Sequence, residues 1–127
     1  MSRVPLIAVV DDDHAIREAL DDLIRSLGYR SALFCSAEAF LADADRDAVG
    51  CMVVDVQMPG LSGLELQAQL NREGGKPPMI FMSSYFDETT RSKALKAGAH
   101  CFLSKPVDDE ILISEMHAAL SASTGSL

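Results

Sequence analysis

Charged side chains follow three apolar runs of this chain, and their types would suit metal binding or phosphoryl transfer. Asp11 and Asp12 directly follow the first run, Asp55 ends a second, and Lys105 lies just past a third. In a parallel sheet covered by helices, strands read as continuous apolar stretches, and ligands gather at the carboxyl ends of the strands. We therefore expect these carboxylates and the lysine to converge on one site.

The chemistry of such a site follows from its charges. Crowded carboxylates repel one another, so the cluster must either raise its own pKa values or hold a cation. Ligands that offer only oxygen suit Mg²⁺, which keeps several waters and takes one or two carboxylates together with phosphate oxygens. The cluster therefore fits a phosphoryl-transfer site better than a closed structural metal cage.

Strands and helices must alternate to place these residues. The five apolar runs are 6–10, 32–34, 51–54, 79–82 and 101–103, with helix-like patterns between them. This alternation predicts an α/β fold with a doubly wound five-stranded parallel sheet, helices on both faces and right-handed crossovers. The common order for five strands is 2-1-3-4-5, a flavodoxin-like three-layer sandwich with about five helices, and it places the first and third strands side by side.

Capping residues indicate where the helices begin and end. Three polar residues are expected N-caps: Ser36, Ser62 and Asp87. Ser62 also has the spacing of a capping box with Glu65. Gly28 is expected to end the first helix, and the last helix is predicted over about residues 108–120.

Length and composition indicate one domain over residues 1–120, followed by a flexible tail or the start of a linker at 121–127. The net charge of −8 would repel phosphate backbones, so we expect no direct nucleic-acid binding by this segment. The first apolar run is too short for a secretory signal or a membrane span. We therefore expect a cytoplasmic protein with no membrane contact.

The cysteines and histidines do not indicate a metal site by their spacing. The three cysteines are widely spaced and lack a CxxC pair, so they are expected to be small core residues: Cys35, Cys51 and Cys101. None of the three histidines has a partner at metal-ligand spacing, so they are expected to be solvated: His14, His100 and His117.

Together these motifs resemble the receiver domain of two-component response regulators, also called CheY-like domains, over about residues 5–120. The resemblance is carried by the acidic pair after the first strand, the Asp-x-x-Met-Pro-Gly segment that begins at Asp55, Ser83 at the end of the fourth strand, and Lys105-Pro106 after the fifth. The Ser-Ala-Glu-Ala-Phe-Leu segment at 36–41 and the Met-Pro-Gly-x-Ser-Gly spacing at 58–63 are most similar to the FixJ branch.

By this resemblance, Asp55 is the phosphorylation site. The Mg²⁺ ligands would be Asp11, Asp12, Asp55 and the backbone carbonyl of Gln57, with Mn²⁺ as a possible substitute. Lys105 would neutralise charge on the phosphoryl oxygens, and Ser83 would donate its hydroxyl to the bound group.

The resemblance also implies a switch. Ser83 would move toward the phosphoryl group and Phe102, expected to be half buried, would turn inward. This would reshape the surface formed by the fourth helix, fifth strand and fifth helix. The Lys105–Pro106 peptide bond is expected to be cis.

The expected partner is a histidine kinase or a phosphotransfer protein, and the switched surface could form a homodimer. The domain would be an acceptor that catalyses its own phosphorylation and dephosphorylation, not an enzyme that turns over an external substrate. Receivers of the FixJ branch commonly precede a DNA-binding domain. This segment is therefore either a stand-alone receiver or one cut from a longer regulator.

Two other functions compete with this interpretation. A phosphatase of the haloacid-dehalogenase type also phosphorylates an aspartate at a strand end, but it usually needs a second aspartate two residues later. Gln57 occupies that position and cannot shuttle a proton as a carboxylic acid does. The second alternative is a receiver-like interaction module that works without phosphorylation, which the complete set of acidic and basic positions makes less favourable.

Overall fold

Five parallel strands form the centre of the molecule, and helices cover both faces of the sheet. The computed structural model describes residues 4–85 and 87–124. The strands are β1 (Leu6–Val10), β2 (Arg30–Phe34), β3 (Cys51–Asp55), β4 (Met79–Ser83) and β5 (Cys101–Ser104). The helices are α1 (His14–Ser26), α2 (Ala37–Leu41), α3 (Gly63–Arg72), α4 (Glu88–Lys96) and α5 (Asp109–Thr124), with a 3₁₀ turn at Arg46–Ala48.

The strand order is β2-β1-β3-β4-β5, as predicted, and all neighbouring strands are parallel. Val10 pairs with Val54, so the strands that carry Asp11 and Asp55 end at the same level of the sheet. The edge strand β2 begins earlier than its apolar run, because Arg30 pairs with Leu6 of β1. A strand at the edge can hold polar residues since one of its sides faces solvent.

The sheet divides the hydrophobic core into two clusters, because successive side chains of a strand point to opposite faces. One cluster lies under α2, α3 and α4 and includes Phe40, Val54 and Leu66. The other lies under α1 and α5 and includes Ile24 and Val53. Nearly every residue of the three central strands is fully buried, which explains their continuous apolar runs.

The predicted caps are present. Ser36, Ser62 and Asp87 each accept a backbone N–H through the side chain, and Ser62 and Glu65 form the complete capping box. Gly28 follows α1 with φ of 85°, a conformation that favours glycine. Helix α5 continues to Thr124, four residues beyond the predicted end, and residues 125–127 of the predicted tail lie outside the described residues.

The cysteine prediction is wrong for one of the three residues. Cys51 is buried and Cys101 is partly buried, but Cys35 is exposed. Cys35 directly follows the edge strand β2, where no further strand covers the chain. The predicted strand order already places β2 at the edge, so the position of the strand in the sheet, and not the residue type of Cys35, indicates this exposure.

Candidate functional site

Three carboxylates meet beyond the carboxyl ends of β1 and β3. Oxygen atoms of Asp11, Asp12 and Asp55 lie within 4.8 Å of one another. Asp11 and Asp55 are buried, whereas Asp12 is exposed. The parallel pairing of β1 with β3 therefore builds the acidic cluster that the sequence predicts.

Lys105 directly follows β5 and reaches the carboxylates past the end of β4, which lies between β3 and β5. Its Nζ lies 3.0 Å from Oδ2 of Asp11 and 3.4 Å from Oδ2 of Asp55. The peptide bond between Lys105 and Pro106 is cis, the isomer that the resemblance implies. One ammonium group thus contacts the two buried carboxylates together.

Backbone groups hold both buried carboxylates in place. The N–H of Asp13 donates to Oδ1 of Asp11 at 2.8 Å, and the N–H of Gln57 donates to Oδ1 of Asp55 at 3.2 Å. Each carboxylate therefore keeps one oxygen bound to its own loop while its other oxygen faces Lys105. Asp13 itself is exposed, and its side chain caps α1 by accepting the backbone N–H groups of Ala15 and Ile16.

Burial and charge together perturb the ionisation of this site. Burial, followed by repulsion from Asp11, raises the pKa of Asp55 above its ordinary value of 3.8, and attraction to Lys105 only partly offsets this. Burial disfavours the Lys105 ammonium, but its hydrogen bond to Asp11 and the charges of Asp11 and Asp55 outweigh that effect. They raise the pKa of Lys105 above 10.5.

Ser83 is buried at the end of β4, and its hydroxyl is bound locally. Its Oγ lies 2.7 Å from the carbonyl oxygen of Tyr85 and 3.1 Å from Oε1 of Gln57, and it accepts the N–H of Tyr85 at 3.1 Å. A hydroxyl has one proton, so it donates to only one of these two oxygens at a time. The side chain of Gln57, whose backbone carbonyl is an expected metal ligand, thus contacts Ser83.

Phe102 is more buried than expected. It is 9% exposed and packs in the cluster under α2, α3 and α4, where it pairs in register with Phe81. Its residue type predicts a core aromatic, whereas the switch implied by the resemblance needs a half-buried ring. The neighbouring strand and helices cover the ring more completely than the position of β5 at the sheet edge suggests.

Comparison with known proteins identifies the family. The family model described as the response regulator receiver domain matches residues 7–117. This chain belongs to that family. The receiver is 45% identical over 118 residues to the response regulator protein TodT of Pseudomonas putida, a match that spans 93% of this chain and 52% of TodT.

Two further comparisons agree with this assignment. The transcriptional regulatory protein FixJ of Azorhizobium caulinodans is 42% identical over 117 residues, which are 92% of this chain and 56% of FixJ. The solved structure of the response regulator StyR superposes with a TM-score of 0.90 at 36% identity, covering 97% of this chain and 62% of that chain. The receiver therefore spans about half the length of the curated relatives it matches.

The family assignment establishes the general role of this receiver. Response regulators are signalling proteins that interact with histidine kinases and effectors, and receiver domains are generally not classical enzymes. Receivers generally bind Mg²⁺ at an acidic pocket, and the cluster of Asp11, Asp12 and Asp55 offers the oxygen ligands that this ion prefers. Among the described residues, no helix is both long and apolar enough to cross a membrane.

Arg17 also belongs to the receiver site, although its residue type did not predict this. Nη1 of Arg17 donates to the backbone carbonyl of Asp11 at 2.7 Å, so a helix side chain anchors the loop that carries the acidic pair. Arg17 lies one turn into α1 and reads in the sequence as an ordinary solvated helix charge. Only its position after the acidic pair could have indicated this role.

Proposed function

We propose that this receiver accepts a phosphoryl group on Asp55 from a histidine kinase or a phosphotransfer protein and thereby controls an effector. The observation that carries the proposal is the placement of Asp55 between the acidic cluster and Lys105. An oxygen of the Asp55 carboxylate would form a bond to phosphorus while the bond from phosphorus to the donor nitrogen breaks. The product is an acyl phosphate on Asp55.

Mg²⁺ is the cation proposed for the acidic cluster, with Mn²⁺ as a substitute. The carboxylates of Asp11, Asp12 and Asp55 and the backbone carbonyl of Gln57 would hold it, and when bound it would supply positive charge beside the phosphoryl oxygens. Oxygen ligands from two strand ends, with one carboxylate exposed, suit an ion that retains several waters. The site thus offers more negative charge than Lys105 alone can balance.

Lys105 and Ser83 have separate roles in the proposal. Lys105 already contacts Oδ2 of Asp55 and would neutralise charge on the transferred group. For Ser83 to donate to that group, its proton must leave the oxygens of Tyr85 and Gln57. This exchange of hydrogen bonds would couple phosphorylation to the loop after β4.

The output surface is proposed to be α4, β5 and α5. Phe102 connects the site to this surface, because it lies on β5 two residues before Ser104, the register partner of Ser83. We expect phosphorylation to promote a homodimer through this surface and to act on an effector domain in a longer regulator. The FixJ relative is named as a transcriptional regulator and is nearly twice as long as the match, which supports a DNA-binding effector.

Intact-mass spectrometry tests the acceptor. The protein is incubated with acetyl phosphate and Mg²⁺, with Asp55→Asn as the test variant and Asp22→Asn, which changes an exposed aspartate of α1, as the matched control. We expect one phosphoryl adduct in the unsubstituted protein and in Asp22→Asn. The adduct should disappear in Asp55→Asn and in the presence of a chelator.

An adduct that persists in Asp55→Asn would show that another residue is the acceptor. If the unsubstituted protein forms no adduct under fast sampling and is not stabilised by Mg²⁺ with beryllofluoride, it is a phosphorylation-independent interaction module. Sedimentation velocity with and without beryllofluoride tests the dimer separately. A sedimentation coefficient that stays at the monomer value on full binding of beryllofluoride would exclude phosphorylation-linked dimerisation of this segment.

A further inference from the structure

A second group of metal-ligating side chains lies at the amino end of β5, away from the acidic cluster at the carboxyl ends of the strands. It consists of His100, Cys101 and Glu115, and a ring nitrogen, the Sγ and a carboxylate oxygen lie within 4.8 Å of one another. Nε2 of His100 lies 3.0 Å from Oε1 of Glu115. Fold topology brings them together, since Glu115 is on α5 and the other two lie at the start of β5.

We propose that His100, Cys101 and Glu115 form a site for a divalent transition-metal ion, with Zn²⁺ as the ion it would take. Nitrogen, sulfur and oxygen ligands together are typical of Zn²⁺ and unsuited to Mg²⁺, which prefers oxygen alone. Three protein ligands leave a fourth tetrahedral position for water or a ligand from outside the described residues. The site therefore differs in chemistry from the phosphorylation site.

The observed spacing is close to what a tetrahedral ion requires. Zn²⁺ bonds of about 2.0 Å to nitrogen or oxygen and about 2.3 Å to sulfur separate tetrahedral ligands by about 3.3–3.5 Å. The three ligand atoms lie within 4.8 Å of one another, so side-chain rotations that bring them closer by at most about 1.5 Å would give tetrahedral spacing.

The backbone positions of the ligands are fixed by the fold. The N–H of His100 donates to the carbonyl of Met79 at 2.8 Å, and Cys101 pairs in register with Ile80. Glu115 precedes Met116, which is fully buried in the cluster under α1 and α5. Ligands on a paired strand and a packed helix are preorganised, which lowers the entropy lost on metal binding.

An exposed histidine–glutamate pair on α1 provides a comparison for His100 and Glu115. His14 and Glu18 lie 2.9 Å apart, but their side chains are 74% and 67% exposed. The side chains of His100 and Glu115 are 21% and 34% exposed, and a thiol lies beside them. Partial burial and the third ligand favour a bound ion over a solvated histidine–carboxylate pair.

A bound ion would link β5 directly to α5. Phe102 is the next residue after Cys101, and Lys105 follows the same strand. Metal occupancy would therefore restrain the strand that runs between the phosphorylation site and the proposed output surface. Zn²⁺ would bind at the amino end of β5, and the phosphorylation site lies beyond the carboxyl end of the same strand.

Cobalt spectroscopy tests this site. Co²⁺ is added to the reduced receiver in excess Mg²⁺, which competes for the acidic cluster, and the near-ultraviolet thiolate-to-cobalt charge-transfer band is recorded. We expect one equivalent of bound Co²⁺ with this band, displaced by Zn²⁺. The band should vanish in Cys101→Ser, which removes the thiolate. Zn²⁺ affinity should fall by at least about 10- to 100-fold in Glu115→Gln, because losing even a residue that only hydrogen-bonds to a metal ligand has an effect of that size.

Two matched controls make the result specific. Cys35→Ser removes the exposed thiol and His14→Gln alters the exposed pair on α1, and both should keep the band and the Zn²⁺ affinity. A folded receiver without a thiolate band would overturn the proposal. So would a band that is lost in Cys35→Ser, or equal Zn²⁺ affinity in the original protein and Glu115→Gln.

Discussion

Replacing Lys105 by methionine should destabilise the metal-free receiver strongly, because it leaves two buried carboxylates without their cation. Nζ lies 3.0 Å from Asp11 and 3.4 Å from Asp55. At an effective dielectric constant of about 20, each contact is worth about 5 kcal/mol of Coulomb attraction, and desolvation of the ammonium cancels much of the sum. Removing one partner of a buried ion pair costs about 3–5 kcal/mol, and we expect Lys105→Met to fall in that range.

Neutralising Asp55, which Lys105 contacts, should have the opposite effect on the free energy of unfolding. Because burial and the charge of Asp11 raise the pKa of Asp55 above 3.8, its ionised form is disfavoured in the folded state. Protonated Asp55 therefore contributes to the free energy of unfolding fully below pH 3.8. This contribution is lost as the pH rises through the raised pKa of Asp55. At neutral pH, Asp55→Asn removes this unfavourable charge and should raise the free energy of unfolding.

A double-mutant cycle measures both effects. Urea unfolding at pH 7 with a chelator is compared for the original protein, Lys105→Met, Asp55→Asn and the double variant, with Lys96→Met as the control at an exposed lysine. The Lys105→Met cost should shrink in the Asp55→Asn background, since one buried charge is then left unpaired instead of two, with a coupling of about 0.5–3 kcal/mol. A cost below about 1 kcal/mol in both backgrounds would refute the reasoning, because that is the behaviour of an exposed pair.

Two further predictions concern the close approach of Gly63 to the backbone of Asp55 and the reactivity of the three thiols. Gly63→Ala should destabilise the receiver by about 1–3 kcal/mol, because the added Cβ would lie 2.6 Å from the carbonyl oxygen of Asp55. Gly75→Ala has open space and serves as the control in urea unfolding, and equal stabilities of the two variants would contradict the close approach. In metal-free protein at pH 8, an aromatic disulfide reagent should label Cys35 rapidly, because this thiol is exposed. Cys51 and Cys101 should react slowly, because burial raises the pKa of each thiol to about 12. Denaturation should expose all three thiols, and rapid labelling of folded Cys35→Ser would refute this assignment.

The sequence predicts the parts of the site that depend on strand order. Asp11, Asp55 and Lys105 each lie at the end of an apolar run, and parallel strands bring their carboxyl ends to one edge of the sheet whatever the details of packing. The capping residues are equally predictable, because Ser62 and Glu65 act within one turn of helix. These features need only local pattern and topology.

Other features depend on packing between elements far apart in the chain. The hydroxyl of Ser83 binds Tyr85 and Gln57 through a rotamer choice that residue types do not determine. His100 and Glu115 are separated in sequence by the whole of β5 and the start of α5, so their contact could not be predicted from ligand spacing. The exposure of Cys35 and the burial of Phe102 likewise depend on which elements cover a strand.

The division of the core by the sheet has an evolutionary consequence. Substitutions in the cluster under α1 and α5 share few contacts with those under α2, α3 and α4, so their effects on stability should be nearly additive. The two halves can therefore accumulate changes independently and each helical face can diversify for a different partner. The strand termini, which belong to neither half, can keep the same chemistry while the surfaces on either side diverge.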